Sequence, residues 1–185
     1  MDPLIITSID DLKNIVQETY DGNSNIRVIG SGSSRNDFLK PFSDDTGKLI
    51  KLEGYFSDMS SIDYITETIN YHTITVRAGM TLYDIHVWLE QYGDQLTCGS
   101  IDLSVENSHT VGGAIAQNLS DIFGNSFDQS VISIDLLYVE NGEVVIKHLN
   151  RFDEQFASQE LFKSTIGGMG MTGIIVSAIL SFEPI

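Results

Sequence analysis

The sequence has 185 residues, enough for one large domain or two small ones, and a chain of that length buries roughly 70% of its unfolded surface without help from a metal or disulfide. Acidic residues outnumber basic ones 26 to 10, for a net charge of -16, which repels phosphate backbones and anionic lipid surfaces and argues against nucleic acid or membrane as partners. A single cysteine, Cys98, excludes an internal disulfide framework and a Cys-rich metal site, and no apolar run reaches the roughly 18 residues of a membrane span.

The start, Met1 to Leu4, lacks the basic residues of a signal peptide, and a reducing cytoplasmic setting is expected. From Ile5 to Ile29 the pattern reads strand, helix, strand. Ser8 and Asp10 are candidate N-caps, Leu12, Ile15 and Val16 form an apolar stripe, and Asp21-Gly22-Asn23 stops the helix. Ile26 to Ile29 is a short buried strand that runs into Gly30-Ser31-Gly32-Ser33-Ser34. Asp37 to Gly47 reads as a surface loop and Lys48 to Leu52 as a weaker strand.

Thr73 to Arg77 alternates as a strand, and Ala78-Gly79 turns it. Thr81 then caps a helix that carries Leu82, Ile85 and Leu89 and ends near Gly93. Thr97 to His109 is loop-like and leads into the small-residue stretch Val111-Gly112-Gly113-Ala114-Ile115-Ala116. Val131 to Val139 is a strand. Asn141-Gly142 is a strong hairpin signal, because both residues tolerate the positive φ of a type I′ turn, and Glu143 to Lys147 returns as the partner. Phe152 to Thr165 is largely helical, Gly167 to Gly173 is a glycine-rich turn, and Ile174 to Phe182 is the last strand. The sum is an α+β fold of two lobes: an N-terminal one over 1–55 and a C-terminal one over 56–185.

Three glycine-rich stretches bear on chemistry. Gly168 to Gly173 matches G-x-G-x-x-G, but a helix precedes it and a strand follows, the reverse of the order in which a helix N-terminus holds a pyrophosphate. It reads as a tight helix-to-strand turn. Gly30 to Ser34 does follow a strand, and its consecutive N–H groups and hydroxyls suit an anion nest as well as an ordinary Ser/Gly loop. No Gly-Lys-Ser/Thr follows, so it is not a P-loop. Val111 to Ala116 is too apolar for an exposed loop; it permits either close packing of elements or approach of a flat ligand. With only ten basic residues, an anion site here depends on backbone donors. The four histidines lack ligand spacing, so no metal is expected, and no nucleophile elbow is present.

In this order the loops resemble the FAD-binding domain of the vanillyl-alcohol oxidase and p-cresol methylhydroxylase (PCMH-type) superfamily, from about Ile5 to Pro184. The resemblance is carried by Ile26 to Asn36, by Thr75 to Leu82, by Thr110 to Ala116 and by Gly167 to Ile175. The nearest subgroups are sugar and polyol oxidases, with the decaprenylphosphoryl-ribose oxidases closest in the third and fourth pieces. The resemblance implies that FAD lies between the lobes. Gly30, Ser31, Gly32, Ser33 and Ser34 would hold its pyrophosphate, with Gly99 and Ser100 approaching from the other side. Thr110, Val111, Gly112, Gly113, Ala116, Gln117 and Asn118 would line the flavin and ribityl region, and Ile174 and Ile175 the adenine side.

Ser33 stands where many family members attach flavin covalently through histidine, so the FAD is expected to be non-covalent. Asn118 to Asp121 lacks the His-Gly that several sugar oxidases carry there. The substrate cap domain of the family is expected to be absent, and a second chain is one source for it. The implied function is that of an FAD-binding domain or subunit of a flavin-dependent oxidoreductase, taking hydride from an alcohol or sugar-type substrate. The alternative is a non-catalytic FAD-binding or cofactor-free interaction module of the same fold. No catalytic residue is assigned.

Overall fold

Ser8 opens the first helix as its sequence requires: its hydroxyl accepts from the Asp11 N–H at 3.1 Å, and Asp10 and Asp11 sit in the positive first turn. The computed structural model describes residues 2–31, 47–68, 71–90, 96–97, 109–120 and 125–184. Within them β1 (Leu4–Ile6), α1 (Ile9–Asp21), β2 (Ile26–Ile29) and β3 (Lys48–Leu52) build a three-stranded sheet. Its order is β1-β3-β2 and both pairings are parallel. α1 turns Leu12 and Val16 inward at its 3.6-residue spacing.

Two 3-10 turns, Gly54–Ser57 and Met59–Ser61, lead to the second sheet. It contains β4 (Asp63–Thr68), β5 (Tyr71–Arg77), β7 (Val131–Glu140), β8 (Glu143–Asn150) and β9 (Ile174–Pro184) in the antiparallel order β4-β5-β9-β7-β8, with β6 (Leu96–Thr97) paired to β9. α2 (Leu82–Glu90), α3 (Val111–Gln117), α4 (Phe156–Thr165) and a 3-10 turn, Phe127–Ser130, complete the described elements. The core is continuous across both sheets: Ile50 and Phe56 belong to the same buried cluster as Ile74, Phe127, Leu136 and Phe182.

The β7–β8 hairpin matches its sequence signal. Asn141 has φ 53° and Gly142 φ 88°, and Glu140 faces Glu143 across the two-residue turn. The helix-turn-strand order around Gly168 to Gly173 also holds, with α4 before and β9 after. Three readings need correction. β4 was not expected. α2 is described only to Glu90, and residues 91–95, with the expected end near Gly93, lie outside the described residues. α4 starts at Phe156 rather than Phe152, because Asn150 and Asp153 side chains accept from the Phe152 and Gln155 N–H groups and turn the chain first. Finally, Val111 to Ala116 is a helix and not a loop. The surface-loop reading of 37–47 and most of that of 97–109 fall outside the described residues. Among the described residues, no helix is long and apolar enough to cross a membrane.

Candidate functional site

A cleft of about 910 Å³ opens between the two sheets. That is at the upper end of the roughly 300–1,000 Å³ typical of ligand and cofactor pockets. One wall is the end of β2 with Gly30 and Ser31, together with Lys51 to Gly54 at the end of β3 and just beyond it. The opposite wall is Ala78-Gly79, the exposed face of α3, Leu137 to Val139 of β7 and the turn from Met169 into β9. Parallel strands ending at a glycine loop place backbone, not side chains, at the mouth of such a crevice.

The walls meet at their floor. An added Cβ on Gly30 would lie 2.6 Å from Thr110 Oγ1, so the absence of a side chain there lets the β2 loop and the start of α3 approach. Thr110 is also the N-cap of α3, accepting from the Gly113 N–H at 3.2 Å. Two glycines disfavour a seven-residue helix by roughly 1 kcal/mol each. Tertiary bonds hold it instead. The Val111 N–H donates to Met80 O at 2.8 Å and the Gly112 N–H to Ala78 O at 2.9 Å. At the other end, the Gly167 and Met169 N–H groups donate to the Ile115 and Ala116 carbonyls at 3.0 and 2.9 Å.

Of the residues singled out from the sequence, Gly30, Ser31, Thr110, Gly112, Gly113, Ala116, Ile174 and Ile175 line this one cleft. Gly32, Ser33, Ser34, Gly99 and Ser100 lie outside the described residues. Val111 packs in the core with its side chain fully buried. Gln117 is exposed and off the cleft wall. Asn118, in the left-handed conformation at the end of α3, accepts from the Asp128 N–H at 3.0 Å and faces a smaller hollow with Arg151 and Phe162. The amides of Val111, Gly112 and Gly113 are engaged within the protein, so the small residues of this stretch serve the close packing of elements that the sequence permits. What α3 offers the cleft is a surface of small residues, Gly113 and Ala116 one turn apart. Lys51 to Gly54, Tyr138 and Val139 also line it, and no local pattern in the sequence marks them.

Charge in the cleft is balanced although the protein is strongly acidic. Arg27 and Lys51 line it together with Glu53 and Asp84. The Lys51 ammonium pairs with Glu53 at 2.7 Å, and Asp84 Oδ2 accepts from the Thr81 hydroxyl at 2.6 Å. Burial pushes the Tyr138 phenol above its ordinary value of 10.0, helped by its hydrogen bond to Glu140 and that carboxylate's charge. Glu140→Gln removes the charge, and the Tyr138 ionisation is expected to move down; the difference in alkaline absorbance titration between the two proteins reads it. A phenol whose folded-state pKa is raised contributes stability below the unfolded value and loses it as pH rises through the folded one.

Other chemistry is poorly supplied. No group of three metal-ligating side chains occurs among the described residues. Ser177, Asp135 and His148 are linked, but Ser177 donates to Asp135 and the His148 ring meets the other carboxylate oxygen at 2.8 Å. With the carboxylate between them, the imidazole cannot take the serine proton.

Comparisons with known proteins converge on one fold. The family described as "FAD binding domain" matches residues 4–148. D-arabinono-1,4-lactone oxidase of Saccharomyces cerevisiae is 26% identical over 181 residues, 96% of this chain and 31% of that protein. Among solved structures, cholesterol oxidase from Brevibacterium sterolicum superposes with a TM-score of 0.76 at 14% identity, over 97% of this chain and 34% of that one. GilR, described as an oxidoreductase that catalyses the terminal step of gilvocarcin biosynthesis, gives 0.74 at 14% identity, over 97% and 35%. The chain spans about a third of the length of these proteins.

Proposed function

Because this chain belongs to the PCMH-type FAD-binding domain family, we propose that the cleft between its two sheets is the FAD site and that the chain is the cofactor-holding part of a flavin-dependent oxidoreductase. The carrying observation is the meeting of Gly30 with Thr110 in the lining of the cleft, a contact that a Cβ on Gly30 would obstruct at 2.6 Å from Thr110 Oγ1. Its dimensions and balanced charge suit an extended dinucleotide. Gly30 and Ser31, with Gly32, Ser33 and Ser34 beyond them, take the pyrophosphate. Gly99 and Ser100 approach it from the other side. Thr110, Gly112, Gly113 and Ala116, the α3 residues that reach the cleft, hold the flavin and ribityl part, and Ile174 and Ile175 the adenine side.

The two lobes of this reading are 1–55 and 56–185. When bound, FAD supplies the electron sink, accepting a hydride from a substrate C–H. The chain's own residues orient it and keep the charge around it balanced. The substrate is of alcohol or sugar type, in keeping with a lactone oxidase among the relatives. The general base and the substrate pocket belong to a cap outside these residues, carried by the same polypeptide or by a second chain. A reducing cytoplasmic setting accords with the single cysteine.

Attachment of the cofactor is non-covalent, since a serine hydroxyl at Ser33 lacks the ring nitrogen through which histidine bonds flavin. The absorption spectrum of the purified protein, before and after added FAD, tests both statements. A flavin spectrum whose chromophore is released by acid precipitation is expected. Flavin that stays with the denatured chain overturns the non-covalent reading. A colourless protein that takes up no FAD overturns the cofactor site and leaves a cofactor-free interaction module.

A further inference from the structure

We propose that Gln17 is a positioning residue of the FAD cleft, whose carboxamide locks α1 to the outer edge of β8 and so fixes the cleft's width. Gln17 Nε2 donates to the Gly142 carbonyl at 3.1 Å, and its Oε1 accepts from the Val144 N–H at 3.2 Å. β8 ends the described order of its sheet and pairs with β7 alone, so the outward N–H and C=O groups of its first residues have no strand partner. The side-chain amide supplies the donor and acceptor that a neighbouring strand's peptide group would supply. Asp21 Oδ1 accepts the second Nε2 proton at 3.0 Å, which fixes which end of the carboxamide faces which group.

The consequence for the cleft follows from the neighbours. Val16 and Tyr20, flanking Gln17 on α1, line the cleft, and so do Leu137, Tyr138 and Val139 on β7, directly before the clamped turn. Two hydrogen bonds therefore hold the helix that forms one side against the hairpin that forms the other. Glutamate keeps only the acceptor, and asparagine is one methylene too short to reach.

The inference rests on the FAD reading of the cleft. Its test compares the wild-type chain with Gln17→Met, which keeps length and loses both bonds, and Gln17→Glu, which keeps the bond from Val144. Three quantities are read: hydrogen exchange of the Val144 amide, unfolding temperature without cofactor, and FAD affinity from quenching of flavin fluorescence. In Gln17→Met, Val144 exchange is expected to accelerate and FAD affinity to fall, each roughly tenfold, with Gln17→Glu between. A lower unfolding temperature with unchanged FAD affinity makes Gln17 merely structural and overturns the proposal, as does unchanged Val144 exchange. If the wild-type protein itself takes up no FAD, the cofactor reading fails and the positioning role fails with it.

Discussion

Replacing Gly79 by alanine is expected to destabilise the protein by about 3 kcal/mol, the upper part of the range for forcing atoms into a packed site. At this chain length that lowers the thermal midpoint by roughly 6–12 °C. An added Cβ would stand 2.7 Å from Leu52 O and 2.8 Å from Phe56 O. Both obstructing atoms are backbone, so neither moves by a rotamer change. The Gly79 N–H donates to the same Phe56 carbonyl at 2.9 Å, so moving the turn away sacrifices that bond. The segment on the other side is fixed as well: the Arg77 guanidinium lies 3.4 Å above the Tyr55 ring and donates to the Tyr55 carbonyl. This joint is where the first sheet hands over to the second, and it forms part of the cleft wall. Gly142→Ala supplies the contrast. Nothing lies within 4 Å of its added Cβ, so only the positive φ is strained, at a cost near 1 kcal/mol. Thermal unfolding of both variants checks the ranking; equal midpoints would remove the argument from close approach.

The elements legible in the sequence are those whose signals are local. α1 carries its own cap in Ser8 and its own stripe in Leu12 and Val16, and the β7–β8 turn needs only Asn141 and Gly142. α3 is the opposite case. Seven residues with two glycines do not make a helix in isolation. It exists because Ala78, Met80 and the turn at Gly167 to Met169 satisfy its ends from 31 to 53 residues away. β4 likewise forms by pairing with β5 and has no punctuation of its own. The cleft divides along the same line. Gly30, Gly112 and Gly113 stand out because small side chains are conspicuous in a sequence, whereas Tyr138 and Tyr20 enter through tertiary placement of ordinary elements. The Gln17 bonds to Gly142 and Val144 span 125 and 127 residues, a separation over which no local pattern operates.

Gly30→Val is expected to weaken FAD binding by more than about 100-fold, some 2.7 kcal/mol. One atom stands in the way of a side chain here. Thr110 Oγ1 lies 2.6 Å from the position of the first side-chain carbon, while its Cγ2 and Cβ are at 3.4 and 3.6 Å, within ordinary contact. Valine adds two methyl groups in a space already too small for one carbon, and they must enter the cleft or push α3 back. Pushing α3 back disturbs the bonds from the Val111 and Gly112 N–H groups to Met80 O and Ala78 O, and turning the Thr110 hydroxyl away breaks its bond from the Gly113 N–H. The smaller change Gly30→Ala isolates the cause through a double-mutant cycle. Thr110→Ala alone costs about 1 kcal/mol of stability through loss of the N-cap. In that background the obstructing oxygen is gone, so Gly30→Ala should lose less FAD affinity than it does beside an intact Thr110. Fluorescence titration with FAD, alongside thermal unfolding of each cofactor-free variant, separates closure of the cradle from loss of fold. Equal losses in the two backgrounds would mean that Thr110 is not what Gly30 makes room for, and that the two walls of the cleft do not meet at this point.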